Sequence, residues 1–305
     1  MNKKNYILGA ILILLIGLAY LYQGPVKKWQ INSSKPKNFL AKIETDKLDK
    51  IVIKNTFGEI TLEKKDNDWL VKNNQTEQKD FPASASLIDG LLGNLKKSQD
   101  AGLELASANK DRKSEFQTDD KGIVLKLYST NKEVANLTVG KLTSDYLSTY
   151  LRQTDSDNTY KMVGINLFTD LAGKEWRNTK IFSTDKTVIN KIRFQYLDNQ
   201  FTIQKKNNDW LADKTKLKAD KVDKLTQIFS NLNAIEIPKQ DFGPTGLDKS
   251  QLIIQASGNA LDNTLMIGKD NGKNMYYVKR SDNDYIYLIS KEDRDELSKK
   301  IDQLK

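Results

Sequence analysis

The chain of 305 residues contains no cysteine and no histidine, and only 5 of its residues are proline. Without cysteine there is no disulfide, no thiolate nucleophile and no thiolate-held metal. Without histidine there is no imidazole base, haem ligand or His-bound zinc. Any enzyme built from this composition would work with carboxylates, lysine, tyrosine, hydroxyls or a carboxylate-held metal. The absence of cysteine also suits an oxidising compartment. Long stretches made of Gly, Ser or Pro alone are missing too, so most of the chain is expected to be ordered.

What is present is charge, with a formal net value of +9. Lys3, Lys4, Lys27 and Lys28 flank an apolar N-terminal run and carry four of those charges. The remaining basic residues are interleaved with acids, aromatics do not alternate with a basic stripe, and no nucleic-acid motif occurs. Nucleic acid is therefore not an expected partner.

From Asn5 to Val26 there is no charged side chain, and Tyr6 to Tyr22 is almost wholly apolar. About 20 residues rising ~1.5 Å each cross a ~30 Å hydrocarbon core, so a transmembrane helix is expected here. Tyr6, Tyr20 and Tyr22 sit at its ends, where amphipathic rings favour the lipid interface. A cleaved signal peptide fits less well, because its apolar region would be ~7–15 residues long and Ala19-Tyr20-Leu21 is a poor cleavage site. The expectation is a single-pass anchor in the cytoplasmic membrane over residues 1–26, a linker over 27–46, and a body on the outer side. Lysines on both sides of the run conflict with that orientation under a literal positive-inside rule, although long domains translocate largely regardless of charge.

The body is duplicated. Ile51 to Val71 recurs as Ile192 to Ala212 at an offset of 141 without a gap. Apolar residues alternate in both copies, as Ile51/Ile53 then Ile60/Leu62, and Ile192/Phe194 then Phe201/Ile203. That period of two predicts a meander of three short strands, with Asp66-Asn67-Asp68 and Asn207-Asn208-Asp209 as turns and Trp69 or Trp210 opening the third strand. A helix follows each meander: Ile88, Leu91, Leu92 and Leu95 match Leu225, Ile228, Phe229 and Leu232 at an offset of 137, with Pro82 early in the first helix and Asp220 capping the second. A second strand set closes each copy, and Val139-Gly140-Lys141 matches Ile267-Gly268-Lys269 within it. Ser290 with Asp293 predicts a capped final helix.

The expected fold class is α+β: an N-terminal transmembrane helix followed by two tandem copies of one antiparallel-sheet-plus-helix module, at residues 47–182 and 183–305.

Candidate sites are few. Gly140-Lys141 and Gly268-Lys269 lack the first glycine of a phosphate-binding loop and end a strand pattern, so both are expected at turns. Asp155/Asp157 and Asp282/Asp284 offer oxygens to a hard cation, but the glycine and distal glutamate of a calcium loop are missing, which favours solvated hairpin tips. Trp69 and Trp210, at equivalent places, are expected to be largely buried packing residues. No catalytic residue, cofactor or metal ligand set is predicted.

An apolar N-terminus, then repeats of strand, strand, Asp-Trp-strand, helix, a strand carrying Val/Ile-Gly-Lys and a strand with Tyr and Arg/Lys, resembles the membrane-anchored bacterial family known as domain of unknown function 4340. Asn208-Asp209-Trp210, the two Gly-Lys pairs and Trp176 to Phe182 between the copies carry the likeness. The resemblance implies a cell-envelope protein, often encoded with ABC-type exporter parts and related to auxiliary components of gliding-motility transporters. It carries over no catalytic residue. The expected function is a non-enzymatic accessory or scaffold component that engages the bilayer and an integral-membrane transporter or other envelope proteins. An envelope polymer or polyanion binding module ranks second and a carboxylate-dependent envelope hydrolase third.

Overall fold

A computed structural model describes residues 15–16, 36–72 and 79–305. The first meander is β1 (Lys50–Asn55), β2 (Gly58–Lys65) and β3 (Asp68–Val71), with the short β4 (Phe81–Pro82) beyond it. Helix α1 (Ala85–Ser98) leads to β5 (Leu103–Ser107), then β6 (Ile123–Ser129), β7 (Lys132–Leu142), β8 (Thr149–Gln153), β9 (Thr159–Met162) and helix α2 (Leu167–Leu171). The second meander is β10 (Ile189–Tyr196), β11 (Gln200–Lys206) and β12 (Asp209–Ala212), followed by β13 (Thr215–Lys216) and helix α3 (Ala219–Ser230). Strands β14 (Leu252–Gly258), β15 (Leu261–Asp270), β16 (Met275–Arg280) and β17 (Ile286–Ser290) precede helices α4 (Lys291–Leu297) and α5 (Ile301–Leu304).

Two antiparallel sheets result, ordered β4-β3-β2-β1-β6-β7-β8-β9-β5 and β13-β12-β11-β10-β14-β15-β16-β17. The shared order β2-β1-β6-β7-β8-β9 and β11-β10-β14-β15-β16-β17 is the duplication seen as topology. The strands β6 and β14 alternate in the same way, burying Ile123, Leu125 and Leu127 in one and Leu252, Ile254 and Ala256 in the other. Asp66, Asn207 and Asn208 adopt positive φ at the hairpin tips, a conformation that short polar side chains tolerate.

The copies differ at one edge. In the first sheet β5 pairs antiparallel with β9. Its counterpart in the second sheet shrinks to an isolated bridge between Glu236 and Leu288. Beside that bridge the Gln240 amide stands in for a strand: its Nε2 donates to the Ile286 carbonyl at 3.0 Å and its Oε1 accepts from the Ile286 N–H at 2.8 Å.

The expected fold class needs correction. Among the described residues no helix is long and apolar enough to cross a membrane. The 14-residue α1 rises only about 21 Å, short of a ~30 Å hydrocarbon core, and it is amphipathic. Among the described residues the architecture is thus two large antiparallel sheets with short helices, and no transmembrane helix is among them. Tyr6, Tyr20 and Tyr22 lie outside the described residues.

Smaller expectations also shift. Pro82 lies in β4 opposite Leu70, not in a helix, which suits a residue with no N–H to donate on a sheet edge. Lys218, not Asp220, occupies the N-cap of α3. The helices begin at Ala85 and Ala219, an offset of 134, and at that offset buried Ile88, Leu91 and Leu95 match buried Val222, Leu225 and Phe229. The sequence alignment of these helices is therefore one turn out of register.

By packing, the chain divides into two compact units: one takes the chain up to Asn67 with Ser86–Lys174, the other Asp68–Ala85 with Glu175–Lys305. In the first, Leu40, Ile43 and Thr45 are buried, so residues of the expected linker join its core. In the second, Phe81 packs with Ile192, Phe194 and Phe229 in one apolar cluster. Its ring lies 4.6 Å from that of Tyr285 and 5.6 Å from that of Tyr287, centroid to centroid.

Candidate functional site

Gly140 and Gly268 lie inside β7 and β15, not at turns as expected. Both are buried, and both sit where pairing with the next strand slips, between Val139 and Leu142 and between Ile267 and Asp270. The need for glycine comes from a chain segment that crosses over the strand. A Cβ on Gly140 would lie 2.2 Å from the Phe116 carbonyl oxygen, and one on Gly268 would lie 2.3 Å from that of Thr245. The Lys269 N–H then donates to the same Thr245 oxygen at 2.8 Å. Lys141 and Lys269 are exposed. The Gly-Lys pair is thus a crossing point of backbone on backbone, with no phosphate-binding loop around it.

Sequence reasoning missed Arg152. Its buried guanidinium donates through Nε to the Thr118 carbonyl at 2.5 Å and through Nη1 to the carbonyls of Gln153 (3.2 Å), Thr154 and Ser156 (3.3 Å). Burial pushes its pKa down, while the charges of Asp157, Asp119 and Asp155 push it back up. The side chain ties the β8–β9 hairpin to the segment that crosses Gly140. In the second copy Lys279 takes this place, since Arg152 pairs with Thr138 and Lys279 with Met266 in equivalent registers. Its ammonium lies 5.2 Å over the Phe242 ring and 3.0 Å from Asp284. The one available signal was a lone arginine between apolar Leu151 and an Asp-rich turn.

The four candidate aspartates lie at exposed tips, and Asp157, Asp282 and Asp284 are ion-paired there. Asp157 accepts from Lys113 at 2.7 Å, Asp284 from Lys279 at 3.0 Å and Lys79 at 3.3 Å, and Asp282 is bound by Arg280. Hydrogen bonds from these lysines hold the Asp157 and Asp284 carboxyls below the usual carboxylate range. Among the described residues no three acidic side chains gather as a metal site would require.

Trp69 and Trp210 are half-buried, less than expected. Their carbonyls do equivalent work, accepting from the Ala83 N–H at 2.8 Å and the Leu217 N–H at 2.9 Å where each sheet meets its short outer strand. An open cleft of about 570 Å³ lies beside residues 41–47, Lys96 and Gln99. Within it Lys47 pairs with Glu44 at 2.6 Å, and the Gln99 amide donates to the Ile43 carbonyl at 2.5 Å.

Large apolar side chains are displayed at hairpin ends. Phe57 is 97% exposed and Leu197 is 76% exposed, at the β1–β2 and β10–β11 turns of the two copies. Tyr146 and Leu147 extend from the β7–β8 loop.

These features define a duplicated antiparallel-sheet protein in which the buried Arg152 is committed to backbone carbonyls and large apolar side chains are exposed on loop tips. The model of the family described as Domain of unknown function (DUF4340) matches residues 74–249 and 210–305, and the chain belongs to that family. Searches of curated proteins and of solved structures give no match.

Proposed function

We propose that this DUF4340 chain is a non-enzymatic accessory or scaffold component of an ABC-type transport system in the cell envelope. Its partners are an integral-membrane transporter or other envelope proteins. The observation that carries this reading is the exposure of Phe57 and Leu197 on equivalent turns of the two copies. Aromatic and aliphatic side chains are the anchors that protein interfaces use, whereas singly exposed polar groups contribute little. The envelope setting is motivated by the apolar run from Tyr6 to Tyr22 and by what the resemblance described above implies.

The test is purification of the full-length chain from its native cell in mild detergent. Stoichiometric recovery of transporter subunits is expected, with reduced recovery for Phe57→Asp and Leu197→Asp. Loss of cellular function on neutralising one carboxylate, in a chain that still folds and still holds its partners, would overturn the reading in favour of a hydrolase.

A further inference from the structure

One dipeptide of this chain is reactive by itself. Asn271-Gly272, in the connection between β15 and β16, is the one Asn-Gly step in the sequence. Asparagine is a thermolabile residue because the next peptide nitrogen can attack its side-chain carbonyl carbon, and glycine has no Cβ to shield that nitrogen. The attack is helped by an electron-poor carbon, a nitrogen relieved of its proton, and access for water.

The hairpin supplies each of these. The Asn271 Oδ1 accepts from the Lys273 N–H at 2.9 Å and from the Met275 N–H at 3.3 Å. Both donors draw electrons from the carbonyl carbon and sit where negative charge gathers when it is attacked. The bond to Lys273, two positions on, also folds the side chain back along the peptide that joins Asn271 to Gly272. The Gly272 N–H donates to the Asp270 carboxylate at 2.5 Å, so a base already faces the proton that must leave. Asp270, Gly272 and Lys273 are exposed, and a Cβ at Gly272 would meet nothing within 4 Å, which leaves room for water to enter and ammonia to depart.

The first copy provides an internal control. Its β7–β8 connection makes the same kind of turn with Asp145, whose carboxylate accepts from the Leu147 N–H at 3.0 Å. Asp145 precedes a positive φ at Tyr146, as Asn271 precedes one at Gly272. The turn thus accepts an aspartate at this place, and loss of the Asn271 amide would give the second copy the side chain that the first already carries.

We infer that Asn271 is a self-modification site, at which the folded hairpin converts asparagine to aspartate and isoaspartate with water as the only co-reactant. The Gly272 nitrogen bonds to the Asn271 side-chain carbonyl carbon while its proton passes to Asp270. The bond from that carbon to the side-chain nitrogen then breaks, and the nitrogen takes the proton from Asp270 and leaves as ammonia. Water opens the resulting cyclic imide at either carbonyl. Opening at the side-chain carbonyl gives aspartate, which can still accept from the Lys273 and Met275 N–H groups. Opening at the backbone carbonyl gives isoaspartate, whose backbone is one methylene longer and disturbs the turn that the Asn271 N–H closes on the Met275 carbonyl at 2.8 Å. The site does not depend on the scaffold reading.

The experiment holds the full-length chain at neutral pH and follows the Asn271 amide by peptide mass spectrometry, with the exposed Asn190 and Asn274 as controls. Loss at Asn271 is expected to be roughly tenfold or more faster than at either control, and faster in the folded chain than in chain unfolded by guanidinium chloride. Asp270→Asn keeps an oxygen toward the Gly272 N–H but removes the base, and should slow the loss toward the unfolded rate. The comparison of folded with unfolded parent needs no variant, so it decides the matter even where Asp270→Asn disturbs the hairpin. A folded parent that loses the amide no faster than the unfolded one, or an Asp270→Asn chain that loses it at the parent rate, would overturn the inference.

Discussion

The carbonyl oxygen of Thr245 occupies the space in which a side chain at position 268 would begin: a Cβ added to Gly268 would lie 2.3 Å from it. Real Cβ atoms do not approach an oxygen so closely, and the obstacle is backbone, which cannot swing aside as a flexible side chain can. Gly268→Ala and Gly140→Ala are therefore expected to destabilise their units by about 3 kcal/mol, the upper end for overpacking a core. Gly90 and Gly93 of α1 provide the contrast, since a Cβ there meets nothing within 4 Å. Alanine at either should stabilise by about 0.5–1 kcal/mol through helix propensity. Urea unfolding midpoints of the four variants check both signs, and an unchanged midpoint for Gly268→Ala would remove the crossing as the reason for glycine.

Much of this fold is legible in the sequence. The alternation at Ile51/Ile53 and Ile192/Phe194, with the Asn-Asp turns before each tryptophan, locates both meanders, because a half-buried strand must repeat with period two. The helices are legible as helices, but their register is not: a pattern of period 3.6 slid by one turn falls nearly on itself, so the sequence match at 137 competes with the structural match at 134. The reason for Gly140 and Gly268 is hidden because the obstructing carbonyls, Phe116 and Thr245, lie more than twenty positions upstream and a backbone oxygen has no residue signature. Arg152 escapes notice for the same reason, since every acceptor it uses is a carbonyl. Hydropathy over residues 6–22 meets the length requirement for crossing a bilayer, yet it is a criterion of length and composition alone.

Removing the Arg152 guanidinium should leave the buried Thr118 carbonyl and the hairpin carbonyls short of donors. Arg152→Leu is expected to cost roughly 2–4 kcal/mol, combining lost charge-assisted bonds with unsatisfied acceptors. Arg152→Lys should recover little of this, because a single ammonium cannot reach acceptors arranged around a planar fork. Denaturant unfolding measures both, and a lysine variant as stable as the parent would refute the multi-carbonyl role.

Phe81 tests the way the compact units divide the chain. It comes from the first copy by sequence, but its ring is 3% exposed within the apolar cluster of the second unit. Phe81→Ala should weaken that unit by about 3–5 kcal/mol, as for other buried phenylalanines. Hydrogen exchange should accelerate at β10, β14 and β17 while β6 and β7 keep their protection. Equal acceleration in both sets, or in neither, would contradict the assignment.

Alkaline pH should loosen the second unit through two tyrosines. Desolvation pushes the hydroxyls of Tyr196 and Tyr287 up to about 12, with Arg294 and Arg280 respectively drawing them partly back. A hydroxyl whose folded pKa lies above its unfolded value near 10 favours the folded state fully below pH 10 and loses that contribution as pH rises toward 12. A tenfold change in proton affinity corresponds to ~1.4 kcal/mol, so Tyr287 contributes at most about 3 kcal/mol to this fall. The half-buried Tyr196 contributes less, because water screens it. Tyr287→Phe should leave stability at pH 8 within about 1 kcal/mol of the parent and flatten its decline above pH 10, because the buried ring remains and the ionising group is gone. Tyr196→Phe should flatten the same decline but also cost about 1 kcal/mol at neutral pH, since the Tyr196 hydroxyl donates to the Lys299 carbonyl at 3.1 Å. Urea unfolding from pH 8 to pH 12 separates the two, and parallel curves for parent and Tyr287→Phe would mean that the hydroxyl titrates as it does in the unfolded chain.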